Sequence, residues 1–127
     1  MASVQMKVET EHPALFLSDP RSDAAVPNDT SEAFVTTTDT CICFWVLSYV
    51  DGASTVTLSD EECGVSGLDL FSGSVECPSW VQSLSDSSAF AYINVPVSAG
   101  RISVNVRTDN EVSPNWVWIK LDSFRAV

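Results

Sequence analysis

The sequence predicts an all-β fold, an antiparallel β-sandwich or jelly-roll-like barrel of seven to nine short strands. Three observations carry that prediction. Apolar and polar residues alternate strictly through Arg101-Ile102-Ser103-Val104-Asn105-Val106-Arg107, the period of a strand with one buried face. β-branched and aromatic residues gather in short runs separated by Gly, Pro, Asn and Asp. Helical signals are confined to one short turn's worth at Pro78-Ser79-Trp80-Val81-Gln82.

Taken in order, residues 1–33 are broken by His12-Pro13, Asp19-Pro20 and Val26-Pro27-Asn28-Asp29, so they are expected to form an N-terminal arm or linker with short edge strands at 5–8 and 14–17. Residues 34–127 are expected to form the sandwich core of a single domain. Phe34-Val35-Thr36-Thr37-Thr38 has strand composition, and residues 41–50 are apolar on both faces, as in a central strand covered on each side. Asp51-Gly52 then reads as a two-residue hairpin turn, returning through Ser54-Thr55-Val56-Thr57-Leu58 with Val56 and Leu58 inward. Residues 59–89 are rich in Ser, Gly and Asp and are the least regular part. Further strands are expected at 90–95, at 101–107 with Ile102, Val104 and Val106 on the core, and at 115–121.

Charge excludes whole classes of partner. The chain of 127 residues carries 17 acids against 6 bases, a net charge of −11. No Lys or Arg occurs between Arg21 and Arg101, a stretch that holds 11 acids. Nucleic-acid binding draws its affinity from Lys and Arg on phosphates, and anionic membrane surfaces demand the same residues, so neither partner is expected. Membrane insertion is not expected either, because the longest apolar run, 41–47, is far short of the roughly 20 residues a spanning helix needs. The start, Met1-Ala2-Ser3-Val4-Gln5-Met6-Lys7, lacks the pattern of a signal peptide. The acidic excess either keeps a β-rich domain soluble or meets a cation or a basic partner.

The residues needed for catalysis are sparse. His12, the one histidine, stands before Pro13 in the arm, and Gly64-Val65-Ser66-Gly67 has the wrong spacing for a nucleophile elbow, so no enzymatic activity is expected. Cys41 and Cys43 share one strand face and are badly placed to bond each other. Cys63–Cys77 is the most natural single bridge, with reduced thiols as the alternative. Asn28-Asp29-Thr30 has the form of a glycosylation sequon. Asp60-Glu61-Glu62 clusters three carboxylates after a strand: a candidate calcium site, or a solvated acidic turn. Otherwise no cofactor is expected. Trp116 and Trp118 alternate with Val117, Ile119 and Leu121, so they form either an exposed aromatic strip for ligand or interface contact or part of a second covered face.

The proline-rich stretch Pro13-Ala14-Leu15-Phe16-Leu17-Ser18-Asp19-Pro20, the strands from Thr36 to Val50 and the segment from Gly100 to Phe124 together resemble the protruding spike domain of a small icosahedral RNA-virus capsid protein, of the shrimp or prawn nodavirus kind. The resemblance implies a structural domain made in the host cytoplasm and displayed on the virion surface. It would form a homodimer and attach to a host receptor protein or glycan. A carbohydrate-binding β-sandwich using Trp116 and Trp118 is the alternative expectation.

Overall fold

The computed structural model describes residues 3–20, 33–48, 50–64, 66–86, 90–97 and 100–122. The sequon at residues 28–30 lies outside them. Ten strands form two five-stranded sheets: β1 (Ser3–Val8), β2 (Ala14–Ser18), β3 (Val35–Thr37), β4 (Cys41–Trp45), β5 (Ser54–Ser59), β6 (Leu68–Cys77), β7 (Val81–Asp86), β8 (Ala91–Pro96), β9 (Gly100–Thr108) and β10 (Trp116–Leu121). The first sheet runs β1-β5-β10-β9-β6 and the second β3-β4-β2-β7-β8. No helix forms among the described residues. The architecture is therefore the expected β-sandwich, with one strand more than the upper expectation.

One continuous core lies between the sheets. Val56, Leu58, Val104, Val106, Val117, Ile119 and Leu121 face it from the first sheet, and Leu15, Leu17, Ile42, Phe44, Leu84 and Val95 from the second. Each such side chain contributes roughly 1.5–3 kcal/mol by leaving water. The alternation in β9 is as expected: Ile102, Val104 and Val106 are buried while Arg101 and Ser103 are exposed. Strand β10 obeys the same rule, with Val117, Ile119 and Leu121 inward.

Four local expectations are corrected. Residues 41–58 do not make a hairpin, because β4 belongs to the second sheet and β5 to the first. The chain does turn here, but the turn closes between Ser48 and Asp51, whose N–H donates to the Ser48 carbonyl at 2.9 Å, and Gly52 follows it at φ 121° instead of forming its centre. The turn belongs to a connection that carries the chain across the sandwich instead of back along the same sheet. Strand β2 lies mid-sheet between β4 and β7, not at an edge. Its flanking prolines, Pro13 and Pro20, stand just outside the paired residues, so they break no ladder bond. The helix at residues 78–82 is replaced by a tight turn into β7, and Trp80 there has φ 70°. Finally, the irregular region holds two strands that its composition hides: β6 pairs with β9 from Leu68↔Thr108 to Cys77↔Gly100, and β7 pairs with β2 and β8.

Candidate functional site

The residues singled out in the sequence come together on the outer face of the first sheet. Trp116 and Trp118 point away from the core and are half-buried, with Glu61 bonded to Trp118 and Gly67 packed against Trp116. The Trp118 indole N–H donates to the Glu61 carbonyl at 3.0 Å. Lys120, next on the same face, pairs with Glu62 at 2.7 Å, and its hydrogen bond and then its charge hold the Glu62 carboxyl below the usual range. Glu61 is tied in turn by its N–H to the Ser59 hydroxyl at 3.0 Å. Two features read separately in the sequence are thus one: an acidic segment docked on an aromatic strip. Among the described residues, no group of three or more His, Cys, Asp or Glu side chains is gathered as metal ligands would be.

Gly67 closes this contact. A Cβ there would lie 2.5 Å from the Trp116 ring and 2.9 Å from the Thr108 carbonyl. Gly67→Val is accordingly expected to lift residues 60–67 from the strip. The emission of the tryptophans should shift to the red and their quenching by acrylamide should rise. Unchanged emission would show that the segment does not cover Trp116 in solution.

The charges are sorted in space. All the described bases lie on the outward face of the first sheet: Lys7 on β1, Arg101 and Arg107 on β9, Lys120 on β10. Arg101 pairs with Glu76 at 3.0 Å and Lys120 with Glu62. Arg107 stands opposite Asp69 in the ladder, where Asn105 also donates to the Asp69 carboxylate at 2.8 Å. Glu62, Asp69, Arg107 and Lys120 border a shallow polar groove of about 320 Å³ that includes Asp122, whose carboxylate accepts the Ser103 N–H at 3.0 Å. Positive and negative groups alternate there, so the groove offers no strong field of either sign.

A second group of acids lies elsewhere, at the end of the sandwich where β1, β4, β7 and β9 finish and β5 and β10 begin. The loops at this end carry Glu9, Glu11, Asp51, Asp86, Asp109 and Glu111, and no Lys or Arg among their described residues. They are stitched together. Thr10 bridges Ser48, the Val46 N–H reaches the Pro13 carbonyl at 3.1 Å, and the Ser54 hydroxyl donates to the Pro114 carbonyl at 2.8 Å. The Tyr92 hydroxyl spans β8 and the arm, donating to the Asp86 carboxylate at 3.2 Å and lying 3.4 Å from the Glu9 carbonyl. Burial, and then the adjacent Asp86 charge, push the Tyr92 phenol above its ordinary pKa.

The loop between β9 and β10 is built from its own side chains. Asn110 accepts the N–H groups of Val112 and Ser113 at 2.8 and 2.9 Å, the geometry of an Asx turn. Asp109 accepts the Asn115 N–H at 2.9 Å, its side-chain amide at 3.0 Å and the Trp116 N–H at 3.3 Å. Partial burial opposes ionisation of Asp109, but these hydrogen bonds outweigh it and leave the carboxyl below its usual pKa. The result is a fixed tip that presents Glu111 and a Val112 side chain that is 75% exposed. Val50 and Phe90, 78% and 61% exposed, project from neighbouring loops, with Phe90 edge-on to Tyr92 at 5.1 Å. The sequence reading missed this end because its parts lie far apart along the chain; the exposed apolar tips between acids were the available signal.

None of the four cysteines is joined in a disulfide, so Cys63–Cys77 does not form in this structure. Cys41 and Cys43 share the outward face of β4, as expected, yet are buried, and burial pushes their thiols up to about 12 and about 11. Such groups stay protonated and unreactive near neutral pH.

No protein-family model matches the chain and no curated protein is similar to it in sequence. Its fold is similar to that of ComJ from Bacillus subtilis, an inhibitor of the DNA-degrading activity of NucA, with TM-score 0.64 and 11% identity over 97% of this chain and 96% of that one. This finding corrects the viral expectation. A capsid spike displayed on a virion and attaching to a host is withdrawn, because the solved fold that the chain follows from end to end is that of a bacterial enzyme inhibitor.

Proposed function

We propose that this domain acts by binding a protein with a basic surface, and that a nucleic-acid-cleaving enzyme is the class of partner. The observation that carries the reading is the loop-bearing end of the sandwich, whose described loop residues carry acids and no Lys or Arg, with exposed apolar side chains at Val50, Phe90 and Val112 among them. Exposed apolar side chains set among charged ones are the usual anatomy of a protein interface. Nucleases hold phosphates with Lys and Arg, so a rigid acidic surface competes for the same groups and is steered towards them. The similarity in fold to a nuclease inhibitor agrees with this choice of partner.

The test is titration of the domain against purified basic nucleases, with equally basic proteins such as cytochrome c as controls, alongside a plasmid-degradation assay. Binding should favour a nuclease over the controls, weaken as salt rises from about 0.05 to about 0.5 M, and slow DNA cleavage in step with occupancy. Glu111→Lys should weaken it at least tenfold. Binding no better than to the controls, or cleavage that continues in the saturated complex, would remove the proposal.

A further inference from the structure

Among the described residues, one side of the sandwich is open beside that acidic end. There β6, the edge of the first sheet, runs next to β3, the edge of the second: the Glu76 N–H leaves the β6 ladder to reach the Asp39 carbonyl, in the β3–β4 turn, at 2.8 Å. Between the two edges lies a crevice of about 430 Å³ lined by Phe34, Val35, Trp45 and Leu70, with Glu111 and Val112 at its mouth. Leu70 is the extra residue of a β-bulge, since the pairing passes from Asp69↔Arg107 to Phe71↔Val106. Bulges commonly re-aim a side chain beside a functional site, and this one sets Leu70 in the crevice wall.

The backbone of β6 supplies the second half of the argument. The Glu76 N–H points away from β9, so by the two-residue period of an antiparallel ladder the N–H and C=O groups of Ser72 and Ser74 also point to the open side. A ten-residue edge strand with no second partner strand among the described residues is a template for another strand.

We infer that β6 and the adjoining crevice take up an extended segment of the partner protein, paired to β6 as a sixth strand, with an aliphatic or aromatic side chain in the crevice and a Lys or Arg next to it facing Glu111. This inference rests on the proposed binding of a basic protein and names the form in which that protein is held. The occupant's chemistry follows from the site: main-chain groups meet Ser72 and Ser74, apolar walls select the inserted side chain, and the charged residue at the mouth is acidic.

The test uses a synthetic peptide of sequence lysine-valine-leucine-valine-lysine, acetylated and amidated, titrated into the isotope-labelled full chain and followed by amide chemical shifts. Shifts should concentrate at Leu70, Ser72, Ser74 and Val112, and a peptide with glutamates in place of the lysines should bind at least tenfold more weakly. Val112→Asp, at an exposed site, should weaken binding tenfold or more. Ser72→Pro removes only an outward N–H from the edge, and should weaken it several-fold while leaving the thermal midpoint within a few degrees. No binding, shifts elsewhere, equal binding of the glutamate peptide, or variants that bind as well as the parent would overturn the inference. So would pairing of two copies of the chain through β6, seen as a dimer by light scattering that Ser72→Pro abolishes. A basic nuclease that binds the parent, Val112→Asp and Ser72→Pro equally would end this inference and leave the broader proposal standing; absence of nuclease binding would end the broader proposal.

Discussion

Replacing Asp19 with alanine is expected to lower the stability of the domain by about 3 kcal/mol, seen as an earlier denaturation midpoint at an unchanged denaturant slope. Asp19 follows β2 directly and is 1% exposed. Its carboxylate accepts the Ser79 N–H at 2.7 Å and the Ser79 hydroxyl, so a buried charge is held by donors from the β6–β7 turn. That turn needs a clamp, because the next residue, Trp80, is held at φ 70°, a left-handed conformation that costs a side-chain-bearing residue about 1–2 kcal/mol. The Trp80 carbonyl is used in turn by the Val97 N–H at 2.9 Å, which ties the β8–β9 connection to the same point. Loss of the carboxylate therefore removes the two hydrogen bonds to Ser79 seen among the described residues and leaves the strained turn without them. Asp19→Asn keeps an acceptor of the same shape and should cost less than alanine. A loss under about 0.5 kcal/mol for Asp19→Ala would show that the turn holds its shape without the clamp.

Gln82→Met should act in the opposite direction and stabilise the domain by about 1–2 kcal/mol. Gln82 is fully buried on the core side of β7, opposite Val95, and its amide meets only the sulfur of Cys77, a weak acceptor, with no oxygen or nitrogen partner among the described residues. The Cys77 thiol donates to the Val81 carbonyl at 3.2 Å, and its sulfur compensates the buried amide only poorly. Methionine has almost the same length and volume and brings no group that must be satisfied. Gln82→Ala separates the two contributions: it also removes the amide but opens a cavity, and should destabilise by about 2 kcal/mol or more. A chemical-denaturation series of the two variants decides the matter, and a Gln82→Met protein less stable than the parent would contradict the argument.

Much of the fold was legible from local pattern, but the assignment of strands to sheets was not. Strands β9 and β10 follow their alternation residue by residue, because one face of each packs on the core and the other meets solvent or the docked segment at 60–67. Residues 41–58 show the limit. The chain does turn beside Asp51-Gly52, one step earlier than expected, but turn chemistry describes four residues and cannot say whether the flanking strands pair or cross to opposite sheets. Strand β6 was hidden because Ser, Gly and Asp are loop-formers by propensity, and here pairing along β9 overrides them. The turn at Pro78-Ser79-Trp80 depends on Asp19, sixty positions away. The aromatic strip and the acidic turn were each visible as candidates, whereas their contact was not. The acidic end and the crevice exist only once distant loops are gathered, and no window of sequence contains them.

The pairing of β10 with β5 has a consequence for the order of assembly. It is the one parallel pair among the described strands, joining Trp116↔Thr55 through Lys120↔Ser59, and it sets the last described strand in the middle of the first sheet. Neither β5 nor β9 can gain its inner neighbour until that strand arrives, so the β1–β5 and β9–β6 halves must wait as separate ribbons. Closure then brings together positions about half the chain apart, a topology that places folding in the millisecond-to-second range, slow for a domain of this size. During synthesis the first sheet stays divided until residues 116–121 have left the ribosome, while every strand of the second sheet is already free to pair.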